Sequence, residues 1–170
     1  MRKSPWVLFI LMAAVWVVTP LSAAAESLVV IVNPGNPVES LTFEDLVKIF
    51  KKEKRHWPHG GEIYLLMREA GSREQGMILE MIYGMDALAL KKLWLTKLYT
   101  GEISSFPKVI SSNESVREFV KKVPTAIGII GETYVDADVR ILRIDGKLPG
   151  EKGYRLTYHK NKLNSPPLIK

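Results

Sequence analysis

Apolar and polar positions alternate along this chain in two kinds of block. Leu28-Val-Val-Ile-Val-Asn33 is a continuous β-branched run that ends in the turn-rich "NPGNP". Such a run predicts a strand buried on both faces, hence a sheet covered on both sides. "EIYLLM" (62–67) and "AIGIIG" (Ala126–Gly131) read the same way, "FPKVI" (106–110) is a shorter strand, and "VRILRIDG" (139–146) predicts a further one. Between them the spacing turns helical. In "SLTFEDLVKIF", Phe43, Leu46, Val47 and Phe50 share a face. Thr42 is the N-cap there, Asp45 stands at N3, and Leu41 with Leu46 makes a hydrophobic staple, so the pattern predicts a helix over about Phe43–Lys51. Met77, Ile78, Met81 and Ile82 predict a second helix that starts at Ser72 and stops at Gly84. Asp86 caps a third, with a stripe of Leu90, Leu93, Trp94 and Leu98, ended by Gly101. "SSNESVREFVKKV" gives a fourth, with Val116, Phe119, Val120 and Val123 on one side. Strands alternating with helices predict an α/β fold, a mixed and largely parallel sheet flanked by helices.

Composition trims this picture at both ends. Arg2 and Lys3 precede an apolar stretch of about a dozen residues, Trp6–Val18, and Ala23-Ala24-Ala25 follows. That order predicts a signal peptide over 1–25 and an exported, periplasmic or secreted protein. The remaining 145 residues suit one domain, 26–156, and the polar, basic stretch 157–170 predicts a poorly ordered tail. The leader holds two of the 24 basic residues and none of the 18 acidic ones, so the rest carries a net charge of +4. A modest positive balance favours anionic partners; with no nucleic-acid-binding motif, nucleic acid is not among those expected. The chain has no cysteine, which removes disulfides and thiolate chemistry.

The candidate chemistry lies in "MREAGSREQG" (67–76). Ser72 and Gln75 form S-x-x-Q, a capping box, and that alone explains both residues. The same segment also takes a strand end through a glycine turn into a helix start. Amides there lack helical partners and favour negative charge. Arg68 adds a forked donor suited to an oxyanion, with Gly71, Ser72 and Arg73 completing an anion-binding set. Glu74 opposes it, since a carboxylate there repels a bound anion. His56, His59 and Glu62 could be read as a metal site, but a proline between the histidines favours a surface loop. Met77, Met81 and Met85 read as core. No nucleophile elbow or phosphate-loop lysine is present, so no enzyme and no cofactor are expected.

In order and spacing, "VVIVNPGNPVESLTFEDLVKIF", the tryptophan loop "RHWPHGG", "LMREAGS", "SSNESVREFVKKVPTAIGIIGETYV" and "RILRIDGKLPGEKGYRL" resemble the periplasmic phosphate-binding proteins of ABC transporters, over roughly Leu28–Leu156. The resemblance implies the two-lobed fold of type 2 periplasmic binding proteins, here as one lobe plus remnants of the other. It implies a substrate-binding protein in transport, with phosphate or a similar oxyanion as ligand and a membrane permease or other envelope protein as partner. Arg68 falls on the family's anion-pairing arginine, Ser72 on its donor serine and Gly71 on its turn glycine. Arg73 stands where the family has glycine, and Glu74 where it has threonine. These departures, with the short length, leave a second reading: an envelope interaction module that uses the lobe without a small ligand.

Overall fold

The computed structural model describes residues 25–159. Residues 1–24 of the expected signal peptide and residues 160–170 of the expected tail lie outside the described residues.

The elements run β1 (Ala25–Val32), β2 (Ser40–Leu41), α1 (Phe43–Phe50), β3 (Tyr64–Arg68), α2 (Arg73–Ile78), α3 (Ala87–Tyr99), β4 (Lys108–Ile110), α4 (Asn113–Lys122), β5 (Ala126–Gly131), β6 (Arg140–Ile141), β7 (Arg143–Ile144) and β8 (Thr157–His159). The main sheet has the order β4-β3-β5-β1-β6, and β8 also pairs with β1. β3 pairs in parallel with both β4 and β5, while β1 is antiparallel to β5, β6 and β8. Five strands therefore point one way and β1 alone points the other. The expected mixed, largely parallel α/β sheet is what the chain forms.

Alternation along the central strands sets the layers. Leu28, Val30 and Val32 of β1 join Ile127 and Ile129 of β5 in a core with α1, α2 and α3. Val29 and Ile31 face the other way, with Ala126 and Ile130, against Val116 and Val120 of α4. Both sides are buried, as the unbroken apolar runs require; each aliphatic side chain so buried contributes roughly 1.5–3 kcal/mol. Gly128 sits under α4, where a Cβ would lie 2.6 Å from a Val116 methyl, so the helix packs this closely only over glycine.

Local chemistry explains the helix ends. The Thr42 hydroxyl accepts from the Asp45 amide at 3.0 Å, and Leu41 and Leu46 are both in the core, completing the staple. Asp86 accepts from Ala89 N–H at 2.7 Å. Gly84 takes the left-handed conformation that stops the second helix, whose last turn, Leu79–Tyr83, widens to π geometry. Trp57 is buried and donates to the Thr125 carbonyl at 3.0 Å, so its loop is pinned to the sheet.

Three expectations need adjustment. Thr157–His159, assigned to the tail, are a strand on Ala25–Ser27 of β1. "VRILRIDG" is two short strands rather than one: β6 pairs with β1, Leu142 N–H donates to Val30 O, and the chain then crosses to run beside β2. The helix after Ser72 is α-helical only to Ile78.

Candidate functional site

The carboxyl ends of β3, β4 and β5 lie side by side, and this edge carries the polar residues of interest. The chain leaves β3 for α2 and α3 on one face of the sheet, and leaves β4 for α4 on the other. Adjacent parallel strands whose connections depart to opposite faces open a crevice at their carboxyl ends, the usual ligand position in open α/β sheets.

Arg68 ends β3 and is 7% exposed. Its Nη1 donates to the Ile110 carbonyl at 3.0 Å, which ties β3 to the end of β4. The other side of the guanidinium faces Glu74, in the first turn of α2: Oε2 lies 3.5 Å from both Nε and Nη2. Glu74 Oε1 accepts from Asn113 Nδ2 at 2.8 Å, and Asn113, buried at the start of α4, accepts in turn from the Gly131 amide at 3.4 Å. Burial pushes the Glu74 carboxyl up, but hydrogen bonds from Asn113 and from its own backbone N–H, with the charge of Arg68, outweigh that and hold it below the usual carboxylate range.

The four residues expected to bind an anion are thus distributed as follows. Arg68 faces a carboxylate of the chain itself. Gly71, at φ +83°, makes the left-handed turn that favours glycine, and its N–H donates to Gln75 Oε1 at 2.9 Å. The Ser72 hydroxyl donates to Glu69 O at 2.8 Å and accepts from Gln75 N–H at 3.2 Å, and the Ser72 amide also donates to Glu69 O. The capping box is therefore formed, with Gln75 reaching one residue further back than the usual N-cap amide. Arg73 is paired with Glu26 at the start of β1.

Two depressions flank this cluster. A cleft of about 420 Å³ is lined by Glu26, Arg73, Glu74, Glu132 and Tyr134 among others. A more apolar groove of about 510 Å³ lies between α3 and β4, with Trp94, Phe106, Val109 and Arg68 in its wall. Glu74 lines the first and Arg68 the second, so the carboxylate stands between the cleft and the guanidinium. Among the described residues no cluster of potential ligands could hold a metal ion, and His56 and Glu62 are cross-strand neighbours in an isolated bridge.

Sequence reading had assigned Glu74 a repulsive role and given Asn113 no role beyond the helix start. The available signal was Asn113 itself, a weak helix former placed one residue after a serine that already caps the helix.

The arrangement is an α/β lobe with a polar crevice at its parallel-strand edge. Solved structures agree with this at the level of fold. An ABC-type phosphate transport receptor from Vibrio cholerae superposes with a TM-score of 0.65 at 21% identity, over 79% of this chain and 55% of its own. A protein from Clostridium perfringens assigned as a phosphate ABC transporter substrate-binding protein, holding bound phosphate, gives 0.65 at 22%, over 81% and 54%. PstS from Borrelia burgdorferi gives 0.63 at 20%, over 80% and 56%. The chain thus spans a little over half the length of these three structures. No protein-family model matches the sequence.

Proposed function

We propose that this chain is an exported, non-enzymatic solute-binding-type protein that recognises phosphate or a related oxyanion at the carboxyl edge of its parallel strands. The observation that carries this reading is the Arg68 guanidinium, almost fully buried at the crevice and opposed by a carboxylate. A buried charge requires a counter-charge; Glu74 supplies it at rest, and a negative group held at this position supports the reading. The shared fold supports the same class, since proteins of that fold include a phosphate transport receptor and a substrate-binding protein holding phosphate. Recognition rests first on Arg68. Gly71, Ser72 and Arg73 add donors only after giving up Gln75, Glu69 and Glu26, so the affinity is weak, and a membrane permease or other envelope partner completes the site.

Isothermal titration of the chain from Glu26 onward with phosphate, sulfate and acetate tests this. Saturable binding in roughly the millimolar range, about −4 kcal/mol, lost in Arg68→Ala, is expected. No heat and no change in Tm at tens of millimolar anion would remove the reading.

A second reading, an envelope protein–protein interaction module, draws on another surface. β4 is an edge strand, and Phe106 and Val109 are 47% and 63% exposed beside the apolar groove. A partner that stays bound in Arg68→Ala and is lost in Val109→Asp would favour it.

A further inference from the structure

We propose that Glu74 is a tethered occupant of the oxyanion seat, so that an incoming anion reaches Arg68 and Asn113 only by displacing the chain's own carboxylate. The inference rests on the reading of Arg68 as an anion seat and adds what holds that seat at rest.

Position is the first argument. Glu74 lines the cleft and Arg68 does not; Arg68 lines the neighbouring groove instead. The Glu74 side chain is 12% exposed, so it is shielded from water yet borders open space into which it can swing. Contacts are the second. One carboxylate oxygen takes the Asn113 amide at 2.8 Å and the other faces the guanidinium, the donors a free oxyanion would use. Gly131 lets its backbone approach them closely: a Cβ there would lie 3.3 Å from the Tyr134 ring and 3.7 Å from Glu74 Oε1.

Imperfect fit is the third argument. Charge-assisted N–H···O bonds are about 2.7–2.9 Å long, whereas Oε2 stands 3.5 Å from two guanidinium nitrogens, and Arg68 Nε has no hydrogen-bond acceptor despite being buried. As placed, the tethered Glu74 carboxylate bonds Asn113 without closing on Arg68. A tetrahedral oxyanion, with its oxygens spread in space, can do both. The cleft lining meanwhile carries Glu26, Glu74 and Glu132 against Arg73 alone, so loss of the Glu74 charge also lowers the barrier to an approaching anion.

The test compares the wild-type chain with Glu74→Ala, using sodium phosphate and sodium formate as probes and sodium chloride at matched ionic strength. Binding is read by calorimetry and by Tm. Glu74→Ala is expected to regain stability saturably with phosphate or formate and not with chloride, to bind phosphate at least about tenfold more tightly than wild type (one decade being 1.4 kcal/mol), and to lose both responses in Arg68→Met/Glu74→Ala. Should Glu74→Ala not fold, Glu74→Gln keeps the shape without the charge and is expected to shift in the same direction. Equal phosphate binding by wild type and variant overturns the occupant role and leaves the oxyanion reading standing. Binding by the variant alone keeps Glu74 as occupant and removes the oxyanion function of the wild-type chain. A variant that responds no better to phosphate or formate than to chloride overturns the inference.

Discussion

Arg68→Met takes away the guanidinium while filling most of its volume, so the stability it removes reports on charge at the crevice. At 3.5 Å and an effective dielectric constant of about 20, the attraction between Arg68 and Glu74 is roughly 4–5 kcal/mol. Desolvation of the two groups offsets much of this in the intact pair. Removing one partner is different: a group that stays buried without its counter-charge typically costs about 3–5 kcal/mol, and Glu74, which borders the cleft, belongs at the low end. The long separation and the remaining Asn113 bond place this case near 3 kcal/mol, and the lost bond to Ile110 O adds about 1 kcal/mol. The expected deficit at pH 7 is about 3–4 kcal/mol, or a fall in Tm of roughly 6–15 °C for a domain of this size. The pH dependence has a definite sign. Glu74 is held below its ordinary value in the folded chain, so its contribution is complete above about pH 4.3 and is lost as pH falls through the lowered folded value. Without Arg68 the carboxyl is depressed less, so the variant loses less on acidification and the two stabilities converge. Urea unfolding followed by circular dichroism at pH 7 and at about pH 3.5 measures both. A deficit under 1 kcal/mol at pH 7, or one that does not shrink in acid, would refute the reasoning.

Two further outcomes follow from the same geometry. Gly128→Ala places a methyl 2.6 Å from Val116 and should cost about 1–3 kcal/mol, a fall in Tm that Val116→Ala in the same chain partly reverses. Ser72→Ala removes the cap of α2, whose hydroxyl is engaged with Glu69 and Gln75, and should cost about 1 kcal/mol, read as a shift of the urea midpoint.

Much of the fold was readable from the chain because the strongest local signals and the tertiary structure agree. β5 spans the residues of "AIGIIG", α1 begins after the capping threonine with its staple buried, and α4 follows Ser112 as its cap. Strand direction was not readable. β1 runs against the other five strands, and nothing in an apolar run records which way its neighbours point. The break at Leu142 was also hidden, since it depends on which partner each end of "VRILRIDG" finds: Val30 on one side and β2 on the other.

The site was half legible. Arg68, Gly71 and Ser72 stand where a strand–turn–helix arrangement puts them, and the capping box predicted from Ser72 and Gln75 is formed. The role of Glu74 was missed because charge alone suggests that a carboxylate beside an anion seat repels the ligand. Geometry allows the opposite: a carboxylate long enough to reach the guanidinium becomes the ligand. That outcome depends on Asn113, 39 residues away in sequence, which holds the second oxygen.

The most direct measurement of the central claim is a carboxyl-detected nuclear magnetic resonance titration of Glu74 in the wild-type chain. A carboxylate seated between Arg68 and Asn113 should titrate below about 4.3, and its midpoint should rise in Arg68→Met and in Asn113→Ala. A midpoint at or above the ordinary glutamate value, unmoved by either substitution, would contradict the account.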